Sequence, residues 1–426
     1  MPATAIDTYQ FDNGLTLLVE QMPWLESAAV TFLVPAGCQR DPATQPGLAK
    51  LTAEMLQRGC GDLQSRELEQ AMDQLGLARS TAVTNYHIRL SAAMPATRLS
   101  AALTIYASLL QRPLLPATQI DDGRMVCIQE LLAMQDDLSQ KLMEQLRIRQ
   151  YPDPYSRSSH GTLETLQEIS IDDVKQFYTQ NFTPHETIIS IAGNVDSKQI
   201  FQTVNELFGN WTGHETTQIN TTPPPCGHHH IEQESSQTQI GIVFPSVPYS
   251  HPDYFQSRGA VGVLSDGMSS RLFSEVREKR GLCYTVFAMC HTLREQGCVL
   301  TYAGTTTERA QETLDVLLSE LIRLGDGILP EELDRLKAKI KSGLIMQQES
   351  SNSRASSIAA DWHLLGKVRT TGELSRILDD LSCDSINQYL DHNRPTDFRV
   401  VTLGQDPLDT SAATATDNTS TNSGVL

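Results

Sequence analysis

The alternation of apolar and polar positions predicts a series of strands and helices along the chain. Runs rich in β-branched and apolar residues predict strands at 15–19, 28–34 and 187–192. Strict alternation predicts a strand at 86–94, with Tyr86, Ile88, Leu90, Ala92 and Met94 on one face. Helical spacing predicts helices at 65–75, 98–111, 117–148 and 172–178, the last capped by Ser170. Strands that return after helices indicate an α+β fold with helices packed on a sheet.

The pattern occurs twice. Ser170 and the helix after it match Ser382 and its helix, 212 residues later, and the strand ending at Gly193 matches the strand ending at Gly404, 211 residues later. The helix after Leu115-Pro116 likewise matches the helix after Leu329-Pro330, with an offset of 214. A nearly constant offset of this size indicates two copies of one domain. Each copy is expected to be a mostly antiparallel β-sheet covered by α-helices.

Two segments lie outside the repeat. Residues 213–227 are polar and proline-rich, which is typical of an extended linker. The segment 406–426 is rich in Thr, Ser, Ala and Asn, which predicts a disordered tail. The predicted organisation is a first domain at 1–212, a linker at 213–227, a second domain at 228–405 and a tail.

Composition limits the class of protein. The net charge of -18 argues against nucleic acid or an anionic membrane as a partner. No run of 18 apolar residues predicts a membrane span, and the first ten residues lack a basic or apolar leader region. The eight cysteines include no Cys-x-x-Cys pair, which is typical of reduced thiols. We expect a cytoplasmic location.

The segment 47–59 reads Gly-Leu-Ala-Lys-Leu-Thr-Ala-Glu-Met-Leu-Gln-Arg-Gly. It resembles the zinc helix of the M16 (pitrilysin-like) metallopeptidases, in which His-x-x-Glu-His follows Gly-Leu-Ala. Lys50, Ala53 and Glu54 stand at the three working positions of that motif. A lysine places a cation where the metal should bind, and an alanine cannot act as a base. By this resemblance the chain should not bind catalytic zinc there.

The stretch 266–286, Asp-Gly-Met-Ser-Ser-Arg-Leu-Phe-Ser-Glu-Val-Arg-Glu-Lys-Arg-Gly-Leu-Cys-Tyr-Thr-Val, carries a second resemblance. It is similar to the segment of short M16 members, the M16B type, that holds their substrate-binding Arg/Tyr pair. By this match the pair is Arg277 and Tyr284. From the residues alone, a short helix ending at Gly281 and a strand over 284–289 are predicted. The resemblance covers about residues 8–405 and implies the M16/LuxS-like metallohydrolase fold.

Other residues have simpler interpretations. Glu130 lies 76 residues after Glu54 and matches the family's distal zinc ligand, but one carboxylate alone binds zinc weakly, so we interpret Glu130 as a relic. On spacing alone, Arg277 could form a surface salt bridge while Tyr284 simply packs. His228, His229 and His230 are adjacent on a predicted strand and point alternately to opposite faces, so a shared metal site there is not expected.

Three functions are open. M16B enzymes work as two-chain clamshells, so the resemblance implies a non-catalytic subunit that is inactive alone. It would lend Arg277 and Tyr284 to a homologous zinc-bearing partner with an intact His-x-x-Glu-His, for hydrolysis of peptides. Zinc would belong to the partner, and this chain would hold no cofactor. The alternatives are a structural subunit, like the M16-related core proteins of respiratory complexes, and a self-sufficient peptidase with an unrecognised site. The sequence does not identify the partner or substrate, nor whether the chain forms a homodimer in isolation.

Overall fold

A computed structural model describes residues 6–215 and 217–414, and the chain forms two compact units. Unit 1 comprises the described residues of Met1–Ala133, Asp153–Thr222 and Leu344–Gly372. Unit 2 comprises those of Met134–Pro152, Pro223–Gly343 and Glu373–Leu426. Both units combine helices with a mostly antiparallel sheet, as the sequence predicted.

Four of the six strands in the sheet of unit 1 lie where the sequence predicted strands. Its strands are β1 (Ile6–Gln10), β2 (Thr16–Gln21), β3 (Ser27–Val34), β6 (Ala78–Val83), β7 (Ile88–Pro95) and β8 (Ile188–Gly193), with the small hairpin β4 (Gly59–Cys60) and β5 (Leu63–Gln64) beside it. The strand order is β1-β2-β8-β3-β7-β6, in which β2 and β8 are parallel. Val30 in the central strand lies opposite Ala92 on one side and Ile191 on the other.

The sheet of unit 2 repeats this arrangement. Its strands are β9 (His229–Glu232), β10 (Gln237–Ser246), β11 (Cys283–Thr292), β12 (Gly297–Thr306) and β13 (Arg399–Gly404). The order β11-β12-β10-β13-β9 matches β6-β7-β3-β8-β2, including the parallel pair, which here is β13 with β9. The repeat seen in the sequence is therefore a repeat of topology.

The helices of both units flank these sheets. In chain order they are α1 (Leu48–Leu56), α2 (Ser65–Gln74), α3 (Leu99–Gln111), α4 (Ile120–Asp136), α5 (Leu138–Gln150), α6 (Leu163–Glu168), α7 (Ile171–Asn181), α8 (Ser197–Phe208), α9 (Tyr254–Ser265), α10 (Ala310–Leu324), α11 (Pro330–Gln347), α12 (Ser351–Leu365), α13 (Thr371–Asp380), α14 (Cys383–His392) and α15 (Ser411–Thr414). The Ser170 hydroxyl caps α7 by accepting from the Asp173 amide, as predicted. None of the helices in the described part of the chain is long and apolar enough to cross a bilayer.

The single helix predicted over 117–148 is wrong. Asp137 leaves the helical conformation (φ -84°, ψ 96°), and its carboxylate accepts from the amides of Ser139 and Gln140. It thereby ends α4 and caps α5. The break changes the packing, because α5 lies on β10 and β13 of unit 2.

A helix of the second repeat belongs to unit 1 in the same way. α12 packs on β3 and β8, where Ile358 and Ala359 join a buried cluster with Leu18, Leu33 and Ile188. Each repeat therefore contributes one helix to the other repeat's sheet. The compact units differ in these two segments from the ranges 1–212 and 228–405 that the sequence repeat suggests.

The predicted linker and the predicted tail differ in how well they agree with the structure. The described residues of 213–227 contain neither helix nor ladder strand, and Thr222 forms an isolated bridge with Asp153. The disordered tail predicted from residue 406 is wrong for residues 406–414. Ala413 of α15 is buried, and the Asp409 amide donates to the Gln311 side chain. Residues 415–426 lie outside the described part of the chain.

Candidate functional site

The degenerate zinc helix is α1, and the predicted residues face inward. Leu48, Leu51, Met55 and Leu56 are buried. The helix begins after Gly47, whose positive φ of 96° favours glycine. Buried Asp41 caps it from outside the helix, since its carboxylate accepts from the amides of Gly47 (2.8 Å) and Ala49 (2.7 Å).

Lys50 and Glu54 lie one helical turn apart on α1, and each has an ionic partner. The Lys50 ammonium pairs with the Glu130 carboxylate on α4. Glu54 accepts from the Arg58 guanidinium at 2.8 Å. The sequence pointed to Lys50 and Glu130 separately, and the structure brings them into direct contact. Ala53, the remaining position of the motif, is buried and offers only a methyl group.

α4 approaches this face of α1 closely. A Cβ atom at Gly123 would lie 2.8 Å from the Met55 sulfur, so a larger residue there would force the Met55 side chain to move. One turn further on, Cys127 is fully buried. Burial raises the pKa of its thiol to about 12, so the sulfur stays protonated at neutral pH. Gly123 and Cys127 are site residues that sequence reasoning missed, because nothing in their local pattern points to α1.

The donor set around Lys50 does not fit a zinc ion. Zinc needs three or four neutral or anionic donors. Lys50 offers an ammonium without a lone pair, Ala53 offers no polar atom, and Glu130 is already paired. Across residues 6–215 and 217–414, no group of three His, Cys, Asp or Glu side chains is placed to hold a metal ion.

The three adjacent histidines have separate environments. The His228 ring accepts from the Val400 amide at 3.1 Å, and the His230 ring shares a hydrogen bond with the Thr402 hydroxyl at 2.9 Å. Burial, with Arg149 and His230 nearby, lowers the pKa of His229. The His230 contact links β9 to β13, and the His228 contact holds the residue before β9 to the same strand.

Arg277 lies on a one-turn π-helix, Phe273–Glu278, where the sequence predicted an ordinary short helix. The Lys279 amide donates to the Ser274 carbonyl, five residues back, at 3.0 Å. Gly281 follows with φ of 59°, and its amide donates to the Arg277 carbonyl, which confirms the predicted stop.

The Arg277 guanidinium and the Tyr284 side chain, which the family resemblance identified as a pair, lie in contact. The guanidinium carbon lies 4.8 Å from the centres of both the Tyr284 and Phe273 rings. A guanidinium nitrogen also donates to the Tyr284 carbonyl at 2.8 Å. Stacking on two aromatic faces restricts the guanidinium to one position.

Tyr284 is displayed by an irregularity in an edge strand. β11 is the outer strand of its sheet, and its register with β12 shifts between Cys283 and Thr285, which leaves Tyr284 in a β-bulge. The Tyr284 side chain is 81% exposed. A bulge redirects a side chain without any local sequence signal. The sequence therefore predicted the start of the strand but not the bulge at Tyr284.

Glu275, two residues before Arg277, is paired with two cations, whereas Arg277 has no acidic partner in the described part of the chain. Glu275 bonds both Lys279 (2.6 Å) and Arg280 (2.8 Å), and these two cations hold the pKa of the Glu275 carboxyl below its usual range. Among the described residues, no carboxylate lies within 4.0 Å of the Arg277 guanidinium. Arg277 therefore keeps its positive charge available to an incoming oxygen atom.

Comparisons with known proteins agree with the fold. Residues 16–162 match the family model described as insulinase (peptidase family M16), and residues 168–340 match the model described as peptidase M16 inactive domain. An uncharacterised zinc protease of Rickettsia felis is 24% identical over 377 residues, covering 88% of this chain and 91% of the relative. The uncharacterised zinc protease YmxG of Bacillus subtilis is 25% identical over 394 residues, covering 90% and 94%.

The fold also matches a solved structure. The crystal structure of a peptidase M16 inactive domain from Pseudomonas fluorescens superposes with a TM-score of 0.85 at 19% identity, covering 95% of this chain and 99% of that one. The two family models match consecutive stretches, residues 16–162 and 168–340, that together cover more than half of the chain, and both name the same family. The chain belongs to peptidase family M16.

Proposed function

We propose that this chain is the non-catalytic subunit of a heterodimeric M16 zinc endopeptidase. It supplies Arg277 and Tyr284 to a homologous partner that retains His-x-x-Glu-His and holds the zinc. The observation that carries the proposal is the state of Arg277, a cation positioned by two aromatic rings beside an exposed phenol and without an acidic partner. The match of residues 168–340 to the inactive-domain model supports a non-catalytic role.

The proposal assigns separate tasks to the two side chains. A guanidinium has five N–H donors, and one bond to the Tyr284 carbonyl leaves others for a peptide oxygen of the substrate. The Tyr284 phenol would donate a hydrogen bond to the substrate oxygen that gains negative charge during hydrolysis, and the zinc that activates water would be held by the partner. A donor aimed at such an oxygen lowers the barrier by about 2.7–4 kcal/mol, or about 10²–10³-fold in rate. The substrate adds as a strand to a sheet edge of the partner.

The test combines this chain with an M16 chain from the same organism that retains His-x-x-Glu-His. Cleavage of a quenched fluorescent peptide library is measured for each chain alone and for the mixture. The mixture should be active while this chain alone is not. Tyr284→Phe removes only the hydroxyl, so it should lower kcat by about 10²-fold while size-exclusion chromatography still shows the dimer.

Arg280→Lys is the matched control for Arg277→Lys. Arg277 lies in the π-helix Phe273–Glu278 and Arg280 lies two residues after its end, but Arg280 is paired with Glu275. Arg277→Lys should reduce activity severely, since lysine lacks the planar fork, while Arg280→Lys should have little effect. Full activity of both Arg277→Lys and Tyr284→Phe would refute the proposed role. A mixture no more active than the partner alone would refute the heterodimer.

A further inference from the structure

Four charged side chains lie in two ion pairs beside Cys127, where α1 approaches α4. Lys50 and Arg58 contribute two cations, and Glu54 and Glu130 contribute two anions. These four are also the charged groups that act on the buried thiol of Cys127. The set is neutral overall, so a divalent cation would find no excess negative charge to neutralise.

The two ion pairs differ in what they connect. Glu54 lies in the last turn of α1 and Arg58 lies two residues after its end. Their pair, four residues apart in sequence, therefore stabilises the end of one helix. Lys50 and Glu130 lie on different helices, 80 residues apart in sequence, and their pair connects α1 to α4. A metal ion with ligands from both helices would make this same connection.

We propose that Lys50 replaces the metal ion in this chain: its ammonium group links α1 to α4 through Glu130 and keeps divalent metals from binding there. This inference does not rest on the proposed function, and its test involves no partner chain.

The first arm of the test measures the link. Lys50→Met keeps the side chain's length but removes its charge, so it should lower the Tm by about 2–4 °C, whereas Lys50→Arg should stay within about 1 °C of wild type. Glu130→Gln should give a similar fall, and the fall in the double variant Lys50→Met/Glu130→Gln should be smaller than the sum of the two. The control is Lys341→Met, which breaks a more exposed pair with Asp379 in unit 2 and should change the Tm little.

The second arm measures exclusion of metal, with Zn²⁺ alone as the probe. After chelator treatment and dialysis, Zn²⁺ should not raise the Tm of the wild-type chain. The double variant Lys50→His/Arg58→Met places an imidazole on α1 and frees Glu54, so with Glu130 it offers three donors. Zn²⁺ should raise its Tm by several degrees, and adding Glu130→Gln should abolish the rise.

Each arm can overturn the inference independently. An unchanged Tm in Lys50→Met, or strict additivity with Glu130→Gln, would show that the pair does not link the helices. Zinc stabilisation of the wild-type chain that Glu130→Gln removes would show that Lys50 does not exclude metal. Absence of zinc stabilisation in Lys50→His/Arg58→Met would refute exclusion by Lys50 as well.

Discussion

The buried ion pair between Glu20 and Arg354 gives the most demanding test of what holds unit 1 together. Glu20 lies on β2 and Arg354 on α12, and their side chains are 4% and 2% exposed, with Arg354 Nε 2.7 Å from Glu20 Oε2. The neighbouring Ala355 packs in a cluster with Met22 and Ala192. Glu20→Gln would leave a guanidinium uncompensated in this apolar environment.

The expected cost follows from that burial. Removing one partner of a buried ion pair costs about 3–5 kcal/mol, because the remaining charge stays out of water. At about 2–4 °C per kcal/mol, the Tm of unit 1 should fall by roughly 10 °C. Replacing both charges with apolar groups, as in Glu20→Leu/Arg354→Met, removes the uncompensated charge and should restore most of the stability.

Two measurements show how much stability is lost and whether the loss occurs at α12. Thermal denaturation gives the Tm, and hydrogen exchange over 351–365 reports whether α12 itself loses protection. Glu69→Gln is the control, since Glu69 pairs with Arg79 on the surface of the same unit and should cost less than about 1 kcal/mol. The reasoning is refuted if Glu20→Gln costs no more than Glu69→Gln, or if the apolar double variant is as unstable as the single one.

Three further predictions concern single residues. Burial and Arg147 lower the pKa of His291 to about 4, against about 6.5 when unfolded, so its contribution to stability is complete above pH 6.5 and is lost as the pH falls towards 4. The stability advantage of wild type over His291→Gln should therefore shrink by about 2 kcal/mol between pH 7 and 4.5, and a constant difference in denaturation experiments would contradict this. Asp41→Ala should cost about 2 kcal/mol and speed hydrogen exchange in α1, while Asp41→Asn, which keeps an acceptor, should cost less. Ala413→Asp buries a charge and should lower the Tm by about 2–4 °C, whereas Asp at the exposed neighbour Ala412 should not; equal effects would show that α15 is not packed.

The repeat and the local signals could be predicted from the sequence, because they depend on residues close together. The inward face of α1, the Ser170 cap and the Gly281 stop follow from helical spacing and from backbone preferences of single residues. The break at Asp137 also had a local cause, an aspartate able to cap a new helix. The sequence analysis missed this break because the helical spacing is strong on both sides of Asp137.

The remaining features depend on tertiary packing. Periodicity shows that α5 and α12 have an apolar face but not which sheet that face covers. The bulge at Tyr284 depends on the register with β12, and the pair of Lys50 with Glu130 joins helices far apart in the sequence. The resemblance to the M16 family placed Arg277 beside Tyr284, whereas spacing alone left surface packing as the simpler interpretation.

The cations of the α1 site and of the Arg277 site have different partners. This difference explains why no ligand is expected at α1, whereas Arg277 is proposed to bind substrate. At α1, each cation faces a carboxylate, so any new ligand must first break an ion pair. Arg277 instead contacts two ring faces and a backbone carbonyl, which are neutral partners. The guanidinium donors that the Tyr284 carbonyl does not use can therefore bind a peptide oxygen without breaking an ion pair. In the proposed subunit, Arg277 would therefore position the peptide, and the Tyr284 phenol would stabilise the charge that develops in the transition state.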